Sequence, residues 1–287
     1  MKDFYLADRT GLSFELFPPK TQKGTSNLFD HLENLAVFQP DYITCTYGAG
    51  GSTQKKTLDV IKRVKSEFKV PVASHLTVVG STVDELRAYL HEAQSGGIDY
   101  IVALRGDPPQ GETEFTPVQG GLSYANQLVE LVRDEFPGFG IAVAGYPEKH
   151  REAISMEVDL DHLKRKVDTG ADVIITQLFY DNQDYFNFVE LCLDRGIEIP
   201  IVPGILPVVN LSQVTRITSL CDAKLPREFV DRLQNAGSEQ DQLEVGIEFA
   251  TRQVEELLSQ KVCGLHFYVL NKSGSTSKVL QSLNFQK

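Results

Sequence analysis

The chain has 287 residues, of which 41% are hydrophobic and 23% charged, and its formal net charge is −11. This composition is typical of a soluble globular protein with a sizeable core and argues against intrinsic disorder. The negative charge, with no Lys/Arg run to form a basic stripe, argues against nucleic acid as a partner. An anionic ligand would therefore be held by individual cations and by helix N-termini.

The cysteines and the N-terminus exclude several further classes of protein. Cys45, Cys192, Cys221 and Cys263 form no CxxC pair and have no histidine at metal-ligand spacing, so we expect buried thiols and no metal site. Residues 1–4 lack the apolar run of a signal peptide, and nowhere do 18 uncharged apolar residues occur together. We expect a cytoplasmic protein that does not enter a membrane.

Short β-branched or aromatic runs alternate with helical patterns along the whole chain, which is typical of parallel strands joined by crossover helices. The eight runs are Leu12–Phe17, Tyr42–Tyr47, Val70–Val79, Tyr100–Arg105, Gly140–Gly145, Val173–Tyr180, Ile199–Leu206 and Gly264–Asn271. We predict an α/β fold, a (β/α)8 TIM barrel forming a single domain over residues 1–287, with an extra helix within Leu211–Leu258 before the last strand. An open doubly wound sheet is the alternative, but its nucleotide-binding glycine fingerprint is missing.

In such barrels the active site lies at the carboxyl ends of the strands. Period-two alternation in the first run places Glu15 on one face with Ser13 and Phe17, so a carboxylate is expected inside the barrel. Burial would raise its pKa and suit it to donate a proton near neutral pH. The alternative is a structural Glu held in a salt bridge.

The second and third runs end in candidate binding groups. The small-residue turn Gly48–Ser52 offers free backbone N–H groups to an anion, although it is not a dinucleotide fingerprint and a flexible turn is the alternative. The third run carries His75, for which a hydrogen-bonded structural role is the alternative to catalysis.

Charged residues follow the fourth and fifth runs. Arg105 and Asp107 are expected on one face, separated by Gly106, which allows close backbone approach; a local Arg–Asp ion pair closing the turn is the alternative. After the fifth run, the basic cluster at residues 164–166 either holds a diphosphate or forms a solvated helix face.

The sixth run is expected to point an amide into the barrel. Alternation places Gln177 on the same face as Val173, Ile175 and Phe179 rather than in a loop, where the edge of a heterocycle would satisfy its hydrogen bonds.

The last run is expected to align His266, Tyr268, Leu270 and Lys272 on one face. These groups would suit a stacked aromatic ligand with a carboxylate tail. A filled barrel interior is the alternative.

Together these strand ends resemble the methylenetetrahydrofolate reductase family. The segments that carry the resemblance, in that family's order, are SFELFPP, TYGAGG, HLT, LRGD, YPEKH, LKRKVDTGAD, TQLFYD, VPGILPV and HFYVLN. Single segments are weak signals, but nine in order over essentially the whole chain are specific. The length also resembles the bacterial-type catalytic barrel alone, so we expect no C-terminal regulatory domain of the eukaryotic kind.

The resemblance implies that FAD binds in the barrel without a Rossmann fold, and it favours a diphosphate role for the basic cluster. Positions that match the family's flavin contacts are Thr46, Tyr47, Ala49, His75, Leu104, Arg105, Gly106, Asp107, Tyr124, Ala125, Ala144, Tyr146, His150, Ala153, Asp159, Arg165 and Lys166. His162 stands where an Asn often contacts the flavin.

The resemblance also implies a reaction, in which NADH or NADPH reduces 5,10-methylenetetrahydrofolate to 5-methyltetrahydrofolate by ping-pong hydride transfer, feeding methionine synthesis. Glu15 would be the general acid, and Asp107 would bind the pterin and tune the flavin. The site shared by folate and nucleotide would be lined by Gln177, Gln213, Tyr268, Leu270 and Lys272. NADH is expected over NADPH, and a homo-oligomer is expected.

Two further positions depart from the family pattern. Lys272 stands where an Arg often meets the folate glutamate, which keeps the charge but loses the bidentate fork. Ile217 stands where an aromatic residue can stack on the ligand. The rival functions are a flavin-free folate barrel that transfers a one-carbon group, and a non-catalytic folate- or flavin-binding subunit.

Overall fold

Parallel strands close into a barrel surrounded by helices in the computed structural model of the protein, which describes residues 1–5, 9–47, 54–108, 111 and 115–285. The order of strands around the sheet is β7-β6-β5-β4-β3-β2-β1-β9-β8, and every pair is parallel. The strands are β1 (Gly11–Leu16), β2 (Tyr42–Cys45), β3 (Val72–Thr77), β4 (Tyr100–Leu104), β5 (Gly140–Gly145), β6 (Val173–Thr176), β7 (Ile201–Val202), β8 (Gly204–Ile205) and β9 (Gly264–Tyr268). This confirms the predicted TIM-type barrel.

The seventh predicted run is two short strands, because Pro203 has no N–H to continue the ladder. Strand β7 pairs with β6, whereas β8 pairs with β9, so the two halves together join the ends of the sheet. The break is bridged on both sides: the His266 N–H donates to the Pro203 carbonyl at 3.0 Å, and the Gly204 N–H donates to Thr176 Oγ1 at 2.9 Å.

Helices cover the outside of the barrel. They are α1 (Gln22–Ala36), α2 (Gln54–Phe68), α3 (Val83–Ser95), α4 (Ala125–Glu135), α5 (Met156–Asp168), α6 (Asn182–Asp194), α7 (Leu211–Cys221), α8 (Arg227–Asn235), α9 (Glu239–Ser259) and α10 (Gly274–Ser282), preceded by a 3₁₀ turn at Lys2–Phe4. The extra helix predicted before the last strand is confirmed, because three helices, α7, α8 and α9, occupy this part of the chain. Within the described ranges, no helix is both long enough and apolar enough to cross a bilayer.

Alternation along β1 separates two kinds of environment. Leu12, Phe14 and Leu16 belong to the large core between sheet and helices, so Ser13 and Glu15 face the barrel interior. The lower interior is an apolar cluster of its own, which includes Tyr5, Tyr42, Ala73, Val102, Ala142 and Val173 and is packed by Met1, Phe4 and Tyr100. Polar groups inside the barrel are therefore expected near its carboxyl-terminal mouth.

At the opposite end, an aspartate directly precedes each of β2, β4 and β6 and fastens that strand to the one before it. In each case the aspartate carboxylate accepts a backbone N–H near the start of the neighbouring strand, and its own N–H donates to the same residue's carbonyl. The pairs are Asp41 with the Leu12 N–H at 2.8 Å, Asp99 with the Val72 N–H at 2.9 Å and Asp172 with the Ile141 N–H at 2.7 Å, and the respective cation partners are Arg9, Lys65 and Arg133.

We predict that Asp172→Ala lowers the free energy of unfolding by about 1–3 kcal/mol, since it removes the acceptor of a part-buried N–H and the partner of Arg133. Urea unfolding measures the effect. The control is Asp168→Ala, which removes an exposed carboxylate that pairs with Lys164 within α5 and should cost less than about 0.5 kcal/mol. Equal losses in the two variants would contradict a fastening role for Asp172.

Candidate active site

A buried carboxylate between two imidazoles lies in the upper part of the barrel. Glu15 of β1 is 6% exposed, and its Oε2 lies 3.2 Å from His75 Nε2 of β3 and 3.3 Å from His266 Nε2 of β9. The other ring nitrogen of His266, Nδ1, lies 2.8 Å from the Ser13 hydroxyl. Three different strands thus bring one acid and two bases together.

The predicted raised pKa of Glu15 is wrong. Burial would raise this pKa, but the charge of His75 and the hydrogen bond from His266 outweigh burial and lower the pKa to about 2. The salt-bridged alternative describes this carboxylate better. Alternation along β1 predicts that Glu15 is buried. It does not predict the two histidine partners, because they come from strands distant in sequence.

Several polar atoms near this cluster lack a hydrogen bond among the described residues. Thr44 and Thr77 each bury a hydroxyl without a partner, and His75 Nε2 contacts Glu15 without hydrogen-bond alignment. An unsatisfied buried polar atom costs about 1–3 kcal/mol. A ligand with a polar edge would offset this cost, which fits the edge of a flavin or pterin ring.

The turn after β4 allows the close backbone approach that the sequence predicts. Gly106 has a φ of 90°, and a Cβ at this position would lie 2.7 Å from Val79 Cγ1. Glycine is therefore required at this turn.

Arg105, for which a local ion pair with Asp107 was the alternative role, pairs with a residue distant in sequence. The Arg105 guanidinium binds the Glu152 carboxylate through two hydrogen bonds of 2.6 and 2.8 Å, and Asp107 is exposed. The local turn-closing pair is thus wrong, because the partner comes from the segment between β5 and α5. Glu152 belongs to no recognisable sequence motif, so the sequence does not predict it as the partner of Arg105.

The basic cluster on α5 divides into separate environments. Lys164 pairs with Asp168, and Arg165 is exposed, as expected for a solvated face. Lys166 instead turns to the barrel, where its Nζ donates to the Ala144 carbonyl at 2.6 Å and burial lowers its pKa to about 8.

Beside Lys166, the segment after β5 is fixed by its own contacts. The His150 N–H donates to Asp159 Oδ2 at 2.8 Å, and the Tyr146 and His150 rings lie 4.7 Å apart, edge to face. Four of the predicted flavin contacts, Tyr146, His150, Asp159 and Lys166, therefore lie along one side of the mouth.

The expected single face of the last run is confirmed only in part. The His266 and Tyr268 rings lie 5.3 Å apart, and Tyr268 and Leu270 both pack on the apolar cluster that α7, α8 and α9 form with the segments after β6 and β8. Strand β9 ends at Tyr268, the left-handed conformations of Leu270 (φ 49°) and Asn271 (φ 57°) break the alternation, and Lys272 is exposed. The Asn271 side chain accepts from the Phe17 N–H and donates to the Phe17 carbonyl, both at 2.8 Å, which fixes this turn against the end of β1.

The expected strand face of Gln177 is also wrong, because β6 ends at Thr176. The amide oxygen of Gln177 accepts from the Leu178 N–H at 2.9 Å, whereas Phe179 packs outward in the main core. The Gln213 amide oxygen accepts from the Val209 N–H at 3.2 Å, at the start of α7. Tyr268 remains in the barrel and donates its hydroxyl to the Thr176 carbonyl at 2.7 Å.

The remaining predicted flavin contacts vary in exposure. Tyr47 is buried, Thr46, Leu104, Ala125 and Ala153 are half-buried, and Tyr124 and His162 are exposed. Ile217, one of the family departures, packs on the cluster of α7, α8 and α9. Ala49 and the rest of the Gly48–Ser52 turn lie outside the described residues.

The four cysteines lie in different environments. All four cysteines are free; Cys45 and Cys192 are buried as predicted, whereas Cys221 and Cys263 are only half-buried. Across the described part of the chain, no three His, Cys, Asp or Glu side chains cluster as ligands.

Comparison with known proteins identifies the family. The family model "Methylenetetrahydrofolate reductase" matches residues 1–284. The chain belongs to this family. Escherichia coli 5,10-methylenetetrahydrofolate reductase is 36% identical over 273 residues, covering 95% of this chain and 90% of that protein.

A plant relative and a solved structure extend this comparison. Arabidopsis thaliana methylenetetrahydrofolate reductase (NADH) 1 is 39% identical over 286 residues, and the chain spans about half its length, 48%. A Clostridium thermocellum protein described as binding two copies of 5-methyl-5,6,7,8-tetrahydrofolic acid superposes with a TM-score of 0.67 at 16% identity, covering 98% of this chain and 96% of that one. The latter likeness shows the fold alone.

We predict that Glu15 makes stability depend on pH. Its pKa is about 2 in the folded protein against 4.5 for an ordinary glutamate, so ionised Glu15 stabilises the fold above about pH 4.5 and this contribution is lost as the pH falls towards 2. The difference in unfolding free energy between the wild type and Glu15→Gln should therefore shrink between about pH 6 and about pH 3. Glu33→Gln, at an exposed site on α1, should show no such change. A difference independent of pH would contradict the assignment.

Proposed function

We propose that this protein reduces 5,10-methylenetetrahydrofolate to 5-methyltetrahydrofolate with electrons from a nicotinamide nucleotide, through a bound FAD. The observation that carries the proposal is the Glu15 carboxylate, buried between two imidazoles in the upper barrel of a methylenetetrahydrofolate reductase family member. A carboxylate in contact with two imidazoles can take up a proton and pass it on.

The residues present fit FAD. The unpartnered hydroxyls of Thr44 and Thr77 and the ring of His75 would meet the polar edge of the isoalloxazine, and Gly106 would let the backbone of the β4 turn approach it. Arg105 and Lys166 would face the diphosphate, Arg105 by exchanging its Glu152 partner. When bound, FAD supplies the hydride transfer between nucleotide and folate.

The acid in folate reduction would be Glu15 together with its histidines. A proton delivered through Glu15 to the folate's bridging ring opens that ring to an iminium, which becomes the methyl group on reduction. Because the pKa of Glu15 is lowered to about 2, the carboxylate rests ionised, and the proton it delivers would come from His75, whose Nε2 lies 3.2 Å away. His266, at 3.3 Å, would hold the carboxylate in place through its Nε2–H.

Folate and nucleotide would use the same side of the mouth in turn, in a ping-pong cycle. Tyr268 forms a wall there, and Gln177 and Gln213 lie on the adjoining loops, with their amide oxygens held by backbone N–H groups and their amide nitrogens available as donors. Leu270 would pack on the folate, Lys272 would meet its carboxylate tail, and Asp107 would bind the pterin. NADH is the proposed nucleotide, in keeping with the names of the plant relatives.

The proposed setting follows from the same family membership. The protein would act as a cytoplasmic homo-oligomer whose single-domain barrel feeds methionine synthesis.

We predict that Glu15→Gln lowers folate reduction by at least about 10²-fold, since the amide cannot deliver a proton. Flavin reduction by the nucleotide needs no such acid and should change little. Anaerobic stopped-flow absorbance near 450 nm follows each half-reaction separately in the FAD-loaded protein, and Glu33→Gln serves as the control.

Two outcomes would count against the proposal. Equal losses in both half-reactions would reject the role of Glu15. A colourless protein that shows no absorbance near 450 nm after FAD is added would favour the flavin-free folate barrel.

A further inference from the structure

His266 is held from below by a series of hydroxyl groups inside the barrel. Its Nδ1 lies 2.8 Å from Ser13 Oγ, and the Tyr5 and Tyr42 hydroxyls lie 2.6 Å from each other. Ser13 lies beside these phenols, since it is the cross-strand partner of Tyr42, and it acts to lower the pKa of both tyrosines against the larger effect of burial, which raises them. The series therefore runs from Tyr5 and Tyr42 through Ser13 to His266 and ends at Glu15.

The strand register sets this series. Tyr42 of β2 is the cross-strand partner of Ser13, and Ser13 is the partner of His266 on β9, so the three side chains lie side by side in one layer of the interior. Glu15 lies one layer nearer the mouth. All three members of the lower layer are fully buried, which leaves little room for water to replace a missing hydroxyl.

The Tyr5 ring, from the N-terminal segment, packs into the lower barrel interior against two glycines. Gly11 and Gly264, which are cross-strand partners on β1 and β9, would place a Cβ 2.7 and 2.5 Å from the Tyr5 ring. Neither position therefore tolerates a side chain while Tyr5 stays in place. The absence of both side chains lets the phenol reach the Tyr42 hydroxyl.

The hydrogen-bond roles follow from the carboxylate at the end of the series. A nitrogen that faces a carboxylate at 3.3 Å carries a proton, so His266 Nε2 is the donor to Glu15. In the neutral ring Nδ1 is then an acceptor, and the Ser13 hydroxyl donates to it at 2.8 Å rather than to the Leu265 carbonyl at 3.5 Å. One phenol proton is used in the hydrogen bond between Tyr5 and Tyr42, and the other is left for a lone pair of Ser13 Oγ, since the raised pKa values keep both phenols protonated.

We propose that Tyr5 and Tyr42 are positioning residues for proton delivery by Glu15. They orient the Ser13 hydroxyl towards Nδ1 of His266, which fixes this imidazole as an Nε2–H donor to the carboxylate. The N-terminal segment thereby takes part in folate reduction from the opposite end of the barrel. This inference rests on the proposed function and extends it to residues that contact neither folate nor cofactor.

A third tyrosine provides a matched control. Tyr100 packs edge to face against Tyr42 at 6.0 Å and against Phe4 at 5.8 Å, so it belongs to the same aromatic cluster in the lower barrel interior. Its hydroxyl takes no part in the series. Tyr100→Phe therefore tests the loss of a hydroxyl from this aromatic cluster without affecting Ser13.

The first experiment compares Tyr5→Phe, Tyr42→Phe and Tyr100→Phe in the FAD-loaded protein. We expect Tyr42→Phe to slow reoxidation of the reduced protein by methylenetetrahydrofolate about tenfold. Tyr5→Phe should slow it less, because Tyr42, the cross-strand partner of Ser13, keeps its hydroxyl in that variant. The pH profile of this step should shift as well. The other titratable groups that face Glu15 are His75 of β3 and Tyr268 of β9, and the Cys45 thiol of β2 lies near it on the helix side of the sheet. None of them is altered in these variants.

Reduction by the nucleotide should stay within about twofold of the wild type in all three variants, since that step needs no acid. Tyr100→Phe should match the wild type in both half-reactions. A Tyr42→Phe variant that behaves like Tyr100→Phe would overturn the proposal.

Ser13→Ala tests the order of the series. If the tyrosines act through Ser13, adding Tyr42→Phe to Ser13→Ala should slow the folate step no further. Multiplicative losses in the double variant would show that the tyrosines act independently of Ser13, which contradicts the inference.

The imidazole itself gives a readout that does not depend on activity. In ¹⁵N NMR spectra, Nδ1 of His266 should show the shift of an unprotonated, hydrogen-bonded nitrogen in the wild type and in Tyr100→Phe, and a changed shift in Tyr42→Phe. Identical shifts in all three would reject the positioning role. A wild type that shows the expected shifts but reduces no folate would reject the proposed function and leave the hydroxyl series established.

Discussion

The candidate site depends on one interaction: a carboxylate from β1 held in the barrel interior by imidazoles from β3 and β9. An isolated buried carboxylate would lose its charge, because desolvation raises its pKa. His75 and His266, at 3.2 and 3.3 Å, reverse that effect and keep Glu15 ionised with a pKa of about 2. In the proposed reaction His75 would also supply the proton that a resting carboxylate lacks, so a contact that stabilises the charge would also suit the site to acid chemistry.

The residues that fasten the strands and the residues of the candidate site lie at opposite ends of the barrel. At the amino-terminal end, aspartates fasten neighbouring strands and aromatic side chains close the interior. At the mouth, buried hydroxyls such as that of Thr44 have no partner among the described residues. The Tyr5–Tyr42–Ser13 series crosses this division, which is why residues near the base are expected to affect a reaction at the mouth.

The sequence predicts the barrel well, because period-two runs separated by amphipathic helices specify strand and helix locally. It also places Glu15 inside, since alternation holds throughout β1. The errors occur where strands end: Gln177 follows β6 and Lys272 follows β9, and past a strand end alternation no longer fixes the direction of a side chain. The pairing of Arg105 with Glu152 and of Glu15 with two histidines depends on contacts distant in sequence, which no local pattern contains.

The most direct test of the central claim is the titration of Glu15 by ¹³C NMR of its carboxyl carbon, assigned by comparison with Glu15→Gln. If two imidazoles hold the carboxylate as described, its resonance should remain that of an ionised group down to well below pH 4.5 and titrate towards 2. A midpoint at or above 4.5 would mean that burial outweighs the histidines, and it would contradict the account of this site.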